Sequence, residues 1–136
     1  MYLVDTNVIS ELRKGAKANA GVREFWKRAP PDAQFIAVQT VGELRAGVES
    51  IRLRGDHAQA QRLEIWLQKA IAELGERILP FDEECAQIWG ALMARNPHHS
   101  IDKQIAAIAL IHNLTVVTRN VEDFAGTGVK IVNPFT

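Results

Sequence analysis

Acidic residues stand at three points of the sequence close to the start of a helical pattern. Asp5 directly follows the apolar run over residues 2–4, and Glu43 lies shortly after the run over residues 35–38. Asp102 opens a helical stretch that is rich in alanine and isoleucine. Carboxylates that gather without cationic partners raise one another's pKa, and such clusters normally bind a hard divalent cation through oxygen ligands. The three acids therefore predict a metal site if the fold brings them together.

Further polar residues follow the apolar segment over residues 115–117. Thr118, Asn120 and Asp123 supply a hydroxyl, an amide and a carboxylate there. In open parallel sheets, ligands bind beyond the carboxyl ends of the strands. We therefore expect this group to lie in the same cluster as Asp5.

Helix capping is the alternative explanation for two of the acids. Residues 40–43 match a capping box, in which Glu43 would bond back to the start of its helix. Asp102 would be favourable at a helix N-terminus because of the macrodipole. Asp5 is harder to explain in this way, since it follows a buried strand and aspartate is depleted from strands. A single metal site accounts for all the placements, so we favour it over independent caps.

The elements that must position these residues alternate between strands and helices. Short apolar runs rich in β-branched residues predict strands, and apolar residues at a period near 3.6 predict helices. The alternation is typical of a parallel sheet covered by helices. The predicted strands cover residues 2–4, 35–38, 78–80, 115–117 and 130–132, and the predicted helices cover residues 6–14, 19–28, 40–54, 57–74, 82–94 and 102–112.

Other residues that could do chemistry carry weaker signals. His98 and His99 are adjacent and point in different directions on any regular element, so we interpret them as loop residues and not as a chelating pair. Residues 126–128 form a glycine-rich turn that no helix follows, which argues against a dinucleotide-binding loop. No Walker sequence is present, and Asn7 occupies the place of the second acid of aspartyl-phosphate phosphatases.

Length and composition indicate one domain over residues 1–136. The 16 basic and 16 acidic side chains balance, so no strong overall field draws the chain to nucleic acid or to a membrane. The single cysteine, Cys85, cannot form an internal disulfide and suits a reducing compartment. No leader peptide or membrane-spanning apolar segment is recognisable, and we therefore expect a soluble, cytoplasmic protein.

The order and context of these motifs resemble those of the PIN-domain ribonucleases, specifically the VapC-type toxins of type II toxin-antitoxin pairs. The opening and closing segments are most similar to the FitB-like branch of that family. The resemblance extends over the whole chain and is carried by Asp5-Thr6-Asn7, Glu43, Asp102 with the following Ile105-Ala106-Ala107, Thr118-Arg119-Asn120, and Asn133-Pro134-Phe135.

The resemblance implies a three-layer α/β/α sandwich with a central parallel sheet and an endoribonuclease that depends on Mg²⁺ or Mn²⁺. By position, Asp5, Glu43 and Asp102 would bind the metal. The chain departs from the fullest pattern where many relatives have an acid directly after the Thr-Arg pair. Asn120 stands at that position, and either Asn120 or Asp123 could complete the site, which leaves open whether one or two metals bind.

Several neighbouring residues receive supporting roles by the same comparison. Thr6, Asn7, Thr118 and Asn120 would orient carboxylates or water around the metal. Arginines suit the binding of RNA phosphates, and the candidates are Arg13, Arg45 and Arg119.

The resemblance also implies partners, namely an RNA substrate, a VapB-like antitoxin and a second copy of the chain in a homodimer. The helix predicted over residues 57–74 carries a broad apolar stripe, which is typical of a partner surface as well as of a core. Two other functions stay open on the sequence alone. One is a metal-dependent phosphatase or nuclease acting on DNA or small phosphates, and the other is a non-catalytic binding module.

Overall fold

The computed structural model describes residues 1–136 and contains a five-stranded, fully parallel sheet with strand order β3-β2-β1-β4-β5. Helices flank both faces of the sheet, so the predicted α/β/α architecture is confirmed. No helix is long and apolar enough to span a membrane. The strands are β1 (Tyr2–Val4), β2 (Gln34–Ala37), β3 (Ile78–Leu79), β4 (Thr115–Val117) and β5 (Ile131–Val132), and the helices are α1 (Thr6–Leu12), α2 (Ala20–Arg28), α3 (Val38–Leu53), α4 (His57–Leu74), α5 (Glu83–Arg95) and α6 (Ser100–His112).

The central strand β1 supplies side chains to two separate hydrophobic cores. Successive side chains of a strand point to opposite faces of the sheet. Leu3 lies in the core that α5 and α6 cover, and Val4 lies in the core that α1 to α4 cover. Both side chains are almost fully buried. This explains why β1 reads as a continuous apolar run and not as an alternating one.

The parallel register aligns the carboxyl ends of the three inner strands. Val4 of β1 lies opposite Val117 of β4, and β2 pairs with β1 on the other side. The chain leaves β1 at Asp5, whose N–H donates to the carbonyl of Val117 at 2.9 Å. The residues that follow these strands therefore meet at one edge of the sheet, as the sequence predicted.

Helix α3 begins two residues earlier than its sequence pattern predicts. The strand β2 ends at Ala37, which has extended backbone angles, and the helix starts directly at Val38. Val38 is a β-branched residue that favours strands, but here it is partly exposed at the first position of the helix. Tertiary placement has overridden local propensity, and the earlier start places residues 40–43 inside the helix and not at its N-terminus.

The C-terminal segment is fastened to the start of α2. The side chain of Asn19 caps this helix, with Oδ1 accepting from the N–H of Gly21 at 3.0 Å and also from the N–H of Thr136 at 3.1 Å. A Cβ atom on Gly21 would lie 2.2 Å from the carbonyl oxygen of Pro134. Glycine is required at this position because another chain segment passes so close to its Cα.

We predict that Gly21→Ala lowers the free energy of unfolding by about 1 to 3 kcal/mol, because the added methyl group collides with backbone. Alanine is otherwise the better helix former by about 1 kcal/mol. The matched control is Gly47→Ala in α3, where an added Cβ meets no atom within 4 Å. That variant should gain stability in urea unfolding. Equal gains for both variants would contradict the close approach at Gly21.

Candidate active site at the carboxyl edge of the sheet

Asp5 is a buried carboxylate that hydrogen bonds hold in one orientation. Its side chain is only 4% exposed. Oδ1 accepts from the N–H of Thr6 at 2.8 Å, and Oδ2 accepts from the hydroxyl of Thr118 at 2.8 Å and from the amide of Asn7 at 3.3 Å. Burial raises the pKa of Asp5, because the loss of hydration penalises the charged form, and the hydrogen bonds oppose that shift.

Thr118 and Asn7 join the loop after β4 to the start of α1. The amide nitrogen of Asn7 also lies 3.3 Å from the Thr118 hydroxyl, and its Oδ1 accepts from the N–H of Arg119 at 3.1 Å. The Thr118 hydroxyl in turn accepts from the N–H of Asn120 at 3.0 Å. Thr118 is fully buried. These contacts fix the geometry of Asp5 from both flanking loops.

Glu43 reaches the same edge from the second turn of α3. It accepts a hydrogen bond of 2.6 Å from the hydroxyl of Thr6. The alternative explanation of Glu43 as part of a capping box is wrong, because α3 begins at Val38 and its N-cap is Ala37, which makes no side-chain cap. Thr40 is buried inside the helix, and its hydroxyl has no hydrogen-bond partner.

Asp102 lies in the first turn of α6 but caps no backbone N–H group. The N-cap position belongs to His99, which makes no side-chain cap either. Burial, followed by the negative charges of Asp5, Asp123 and Glu43, raises the pKa of Asp102 from 3.8 to about 6. A helix N-terminus lowers the pKa of a carboxylate, so the opposite shift indicates that burial and the neighbouring acids dominate here.

Asp123 adds a fourth carboxylate to the site, whereas the side chain of Asn120 forms no hydrogen bond with the acids. Asp123 lies in the 3₁₀ turn Val121–Phe124, and its charge raises the pKa of both Asp5 and Asp102. The backbone carbonyl of Asn120 accepts from the N–H of Asp123 at 3.1 Å, but the Asn120 side chain makes no hydrogen bond. Of the two candidates for the fourth position, Asp123 is therefore the one that interacts electrostatically with Asp5 and Asp102.

His99 belongs to the cluster, and its interpretation as an ordinary loop residue is wrong. Its Nε2 lies 3.6 Å from Oδ1 of Asp123, and its Nδ1 lies 4.0 Å from Oδ2 of Asp102. His98 and His99 do not act as a pair, as expected for adjacent residues, but His99 alone turns toward the acids. The available signal was its place three residues before Asp102, next to a helix start.

The three arginines proposed for phosphate binding do not contact the acids. Arg45 forms ion pairs with Glu49 at 3.1 Å and with Glu64 at 3.0 Å, which link α3 to α4. Arg13 lies at the C-cap of α1, the opposite end of that helix from Asp5. Arg119 places its guanidinium 4.9 Å from the ring centroid of Phe135. Of the three, only Arg119 is connected to the site, because its backbone N–H donates a hydrogen bond to Asn7.

The donor set suits a hard divalent cation. Asp5, Glu43, Asp102 and Asp123 provide carboxylate oxygens, and no lysine or arginine forms an ion pair with any of them. Asp5 is buried, and Asp102 and Asp123 are half-buried, so a bound cation would relieve the repulsion among their charges. Mg²⁺ and Mn²⁺ prefer such oxygen ligands.

Comparison with known proteins agrees with this geometry. A model of the PIN domain matches residues 2–129. The chain belongs to the PIN-domain family. Among its PIN-domain relatives, it is 34% identical over 142 residues to Toxin FitB of Neisseria gonorrhoeae, covering 99% of each chain. It is 32% identical to VapC ribonuclease Y4jK of Sinorhizobium fredii, covering 99% of this chain and 98% of that protein.

Solved structures show the same PIN architecture. The structure of FitAcB from Neisseria gonorrhoeae superposes with a TM-score of 0.82 at 34% identity, covering 98% of each chain. A toxin-antitoxin complex from Klebsiella pneumoniae superposes with a TM-score of 0.70 at 26% identity, covering 99% of this chain and 98% of that one. The likeness therefore extends over the whole domain and includes the edge that carries the acids.

We predict that Asp102→Asn stabilises the protein in chelator at neutral pH. With a pKa of about 6 in the fold against 3.8 when unfolded, the stabilising effect of its proton is fully present below about pH 3.8 and is lost as pH rises through 6. The variant should therefore exceed wild type by about 1 to 2 kcal/mol at neutral pH, after allowance for partial exposure. Urea unfolding at several pH values measures this difference.

The matched control is Asp82→Asn at the start of α5. Asp82 caps its helix through the N–H of Cys85, and this hydrogen bond lowers its pKa. Its contribution is present at neutral pH and is lost as pH falls. Asp82→Asn should therefore show no gain at any pH. A loss of stability for both variants would mean that Asp102 is an ordinary helix-start carboxylate.

Proposed function

We propose that this PIN-domain protein is a metal-dependent endoribonuclease and the toxin of a toxin-antitoxin pair. The observation that carries the proposal is the convergence of Asp102 with three further acids at one edge of the sheet, where its carboxylate has no lysine or arginine partner. Structural acids are normally paired with lysine or arginine or used as caps, and Asp102 has neither role. The names of the relatives, which include a toxin and a VapC ribonuclease, support the same function.

The residues of the chain divide into those that would hold Mg²⁺ or Mn²⁺ and those that position them. Asp5, Glu43, Asp102 and Asp123 would hold the metal. When bound, the metal lowers the pKa of water and stabilises charge on phosphate oxygens. Thr118 and Asn7 keep Asp5 in a fixed orientation. Thr6 does the same for Glu43, because its hydroxyl donates a hydrogen bond to Oε1. The chemistry requires no nucleophilic serine or cysteine from the protein.

Arg119 is the best candidate among the arginines for binding RNA phosphates. Its backbone is fixed at the site by Asn7, and its exposed guanidinium lies on the ring of Phe135. Arginine presents a planar set of donors that suits phosphate oxygens. Arg45 is engaged with Glu49 and Glu64, and Arg13 lies at the far end of α1, so both are weaker candidates.

An apolar cleft between α1, α2 and α4 suits an antitoxin segment. The cleft measures about 520 Å³, and Leu12, Trp26 and Trp66 contribute to its lining. Arg13, Lys27 and Arg77 add cationic groups to its wall. We propose that an antitoxin segment with apolar and acidic side chains binds here. The toxin-antitoxin complex from Klebsiella pneumoniae, which has the same fold, supports an antitoxin as the partner.

The homodimer stays a prediction. The exposed apolar side chains of Leu53 and Ile65, at 88% and 56% exposure, lie on α3 and α4 and could contribute to such an interface.

We predict that Asp5→Asn lowers the rate of RNA cleavage at least about a hundredfold, because a neutral amide cannot hold the metal by charge. The matched control is Asp32→Asn, an exposed acid in a turn. It should cleave at the wild-type rate. Circular dichroism would verify folding, and RNA and DNA oligonucleotides of one sequence would be compared in Mn²⁺. Wild-type rates in a folded Asp5→Asn, or faster cleavage of DNA, would contradict the proposal.

We predict that Lys27→Glu weakens antitoxin binding about tenfold or more, because it reverses a charge on the cleft wall. Activity of the free toxin should stay unchanged. Lys17→Glu, an exposed lysine outside the cleft, is the control and should bind normally. Titration calorimetry with the antitoxin from the adjacent reading frame measures both. Unaltered binding by Lys27→Glu would place the partner elsewhere.

A further inference from the structure

The loop before α6 holds His99 in an unusual conformation. Its φ is 57°, in the left-handed region that residues other than glycine rarely occupy. The carbonyl of the preceding residue, His98, accepts a hydrogen bond from the ammonium group of Lys103. Lys103 as a whole is only 3% exposed. A buried lysine with such a contact is a costly way to position a loop. The result is that the imidazole of His99 faces the acids.

His99 lies close enough to both aspartates for one of its two ring nitrogens to share an ion with them. Nε2 lies 3.6 Å from Asp123 Oδ1 and Nδ1 lies 4.0 Å from Asp102 Oδ2, both longer than a hydrogen bond. Two ligands that each bind an ion at about 2.1 Å are at most roughly 4.2 Å apart. One donor atom from each of the three residues can be chosen so that all lie within 4.8 Å of one another.

We propose that His99 supplies a nitrogen ligand to the divalent ion held by Asp102 and Asp123. This inference rests on the metal-dependent function proposed above and adds a residue and a metal preference to it. An imidazole nitrogen suits Mn²⁺, Co²⁺ and Zn²⁺, whereas Mg²⁺ takes oxygen ligands almost alone. The mixed donor set therefore shifts the site toward transition-metal ions compared with one built only of carboxylates.

The competing explanation is that His99 only neutralises the acids. Its side chain is 49% exposed, and a protonated imidazole beside Asp102 would lower the carboxylate's pKa, which is the direction of its influence in the structure. The two explanations predict opposite results. Removing a ligand weakens metal binding, whereas removing a positive charge that competes with the metal leaves binding unchanged or makes it tighter.

The first test is a titration with Mn²⁺ followed by electron paramagnetic resonance, which measures the free ion. It is done at about pH 8, where protons compete little with a metal ion for its ligands. His99→Gln should bind Mn²⁺ about tenfold more weakly, with Mg²⁺ affinity, measured by competition, nearly unchanged. His98→Gln, the exposed neighbour, is the matched control and should bind both ions like wild type.

The second test detects the bond itself. Electron spin-echo spectra of bound Mn²⁺ should show modulation from one histidine nitrogen in wild type and in His98→Gln, and none in His99→Gln. Absence of the nitrogen signal in wild type, or unchanged Mn²⁺ affinity in His99→Gln, would overturn the role of His99.

The variant Asp102→Asn shows whether a negative result rules out only the His99 ligand or also the proposed metal-dependent function. If Asp102→Asn abolishes Mn²⁺ binding while the nitrogen signal is absent in wild type, the metal site stands and only the His99 ligand is wrong. If wild type does not bind Mn²⁺ at all, the proposed function fails together with the inference.

Discussion

The buried carboxylate of Asp5 imposes a constraint on everything around the site. A carboxylate taken out of water at the end of the central strand costs several kcal/mol unless donors replace its hydration. Thr6, Asn7 and Thr118 provide those donors from two chain segments that are far apart in sequence. This requirement fixes the start of α1 against the loop after β4, and it gives the other acids a rigid neighbour.

The acidic cluster lowers the stability of the fold when no cation is bound. Asp102 is placed where burial and three other acids disfavour its charge, and only His99 lowers its pKa. Partly buried like charges can be retained when a ligand compensates them. Asp82 shows no such destabilisation, because its carboxylate caps a helix by accepting a hydrogen bond from the N–H of Cys85. The contrast between two helix-start aspartates within one chain separates a site residue from a structural one.

Helix α1 connects the site to the proposed partner cleft. Asp5 caps its first turn, whereas Leu12 and Arg13, at its other end, line the cleft with Trp66 of α4. With seven residues, the helix is about 10 Å long at 1.5 Å per residue. A bound segment of an antitoxin would therefore lie one short helix away from the acids. A partner in the proposed cleft would thus be close enough to cover the acidic edge of the sheet as well.

The sequence by itself determined the placements that follow from strand ends. Asp5 and Thr118 come directly after buried parallel strands, and the carboxyl ends of parallel strands share one edge, so their meeting follows from local pattern and topology. Asp102 could be recognised for a similar reason, since an acid begins an apolar helix there. The helices and strands themselves also follow from period and turn residues, with differences of one or two positions at their ends.

Only the tertiary structure decided the roles of Glu43, Arg45 and His99. The start of α3 at Val38 leaves Glu43 no capping role, and its carboxylate accepts a hydrogen bond from Thr6 of α1. Arg45 is engaged by Glu64, which belongs to the next helix. His99 faces the acids because of a left-handed backbone conformation. Each of these depends on contacts between distant segments, which no local pattern of residues encodes.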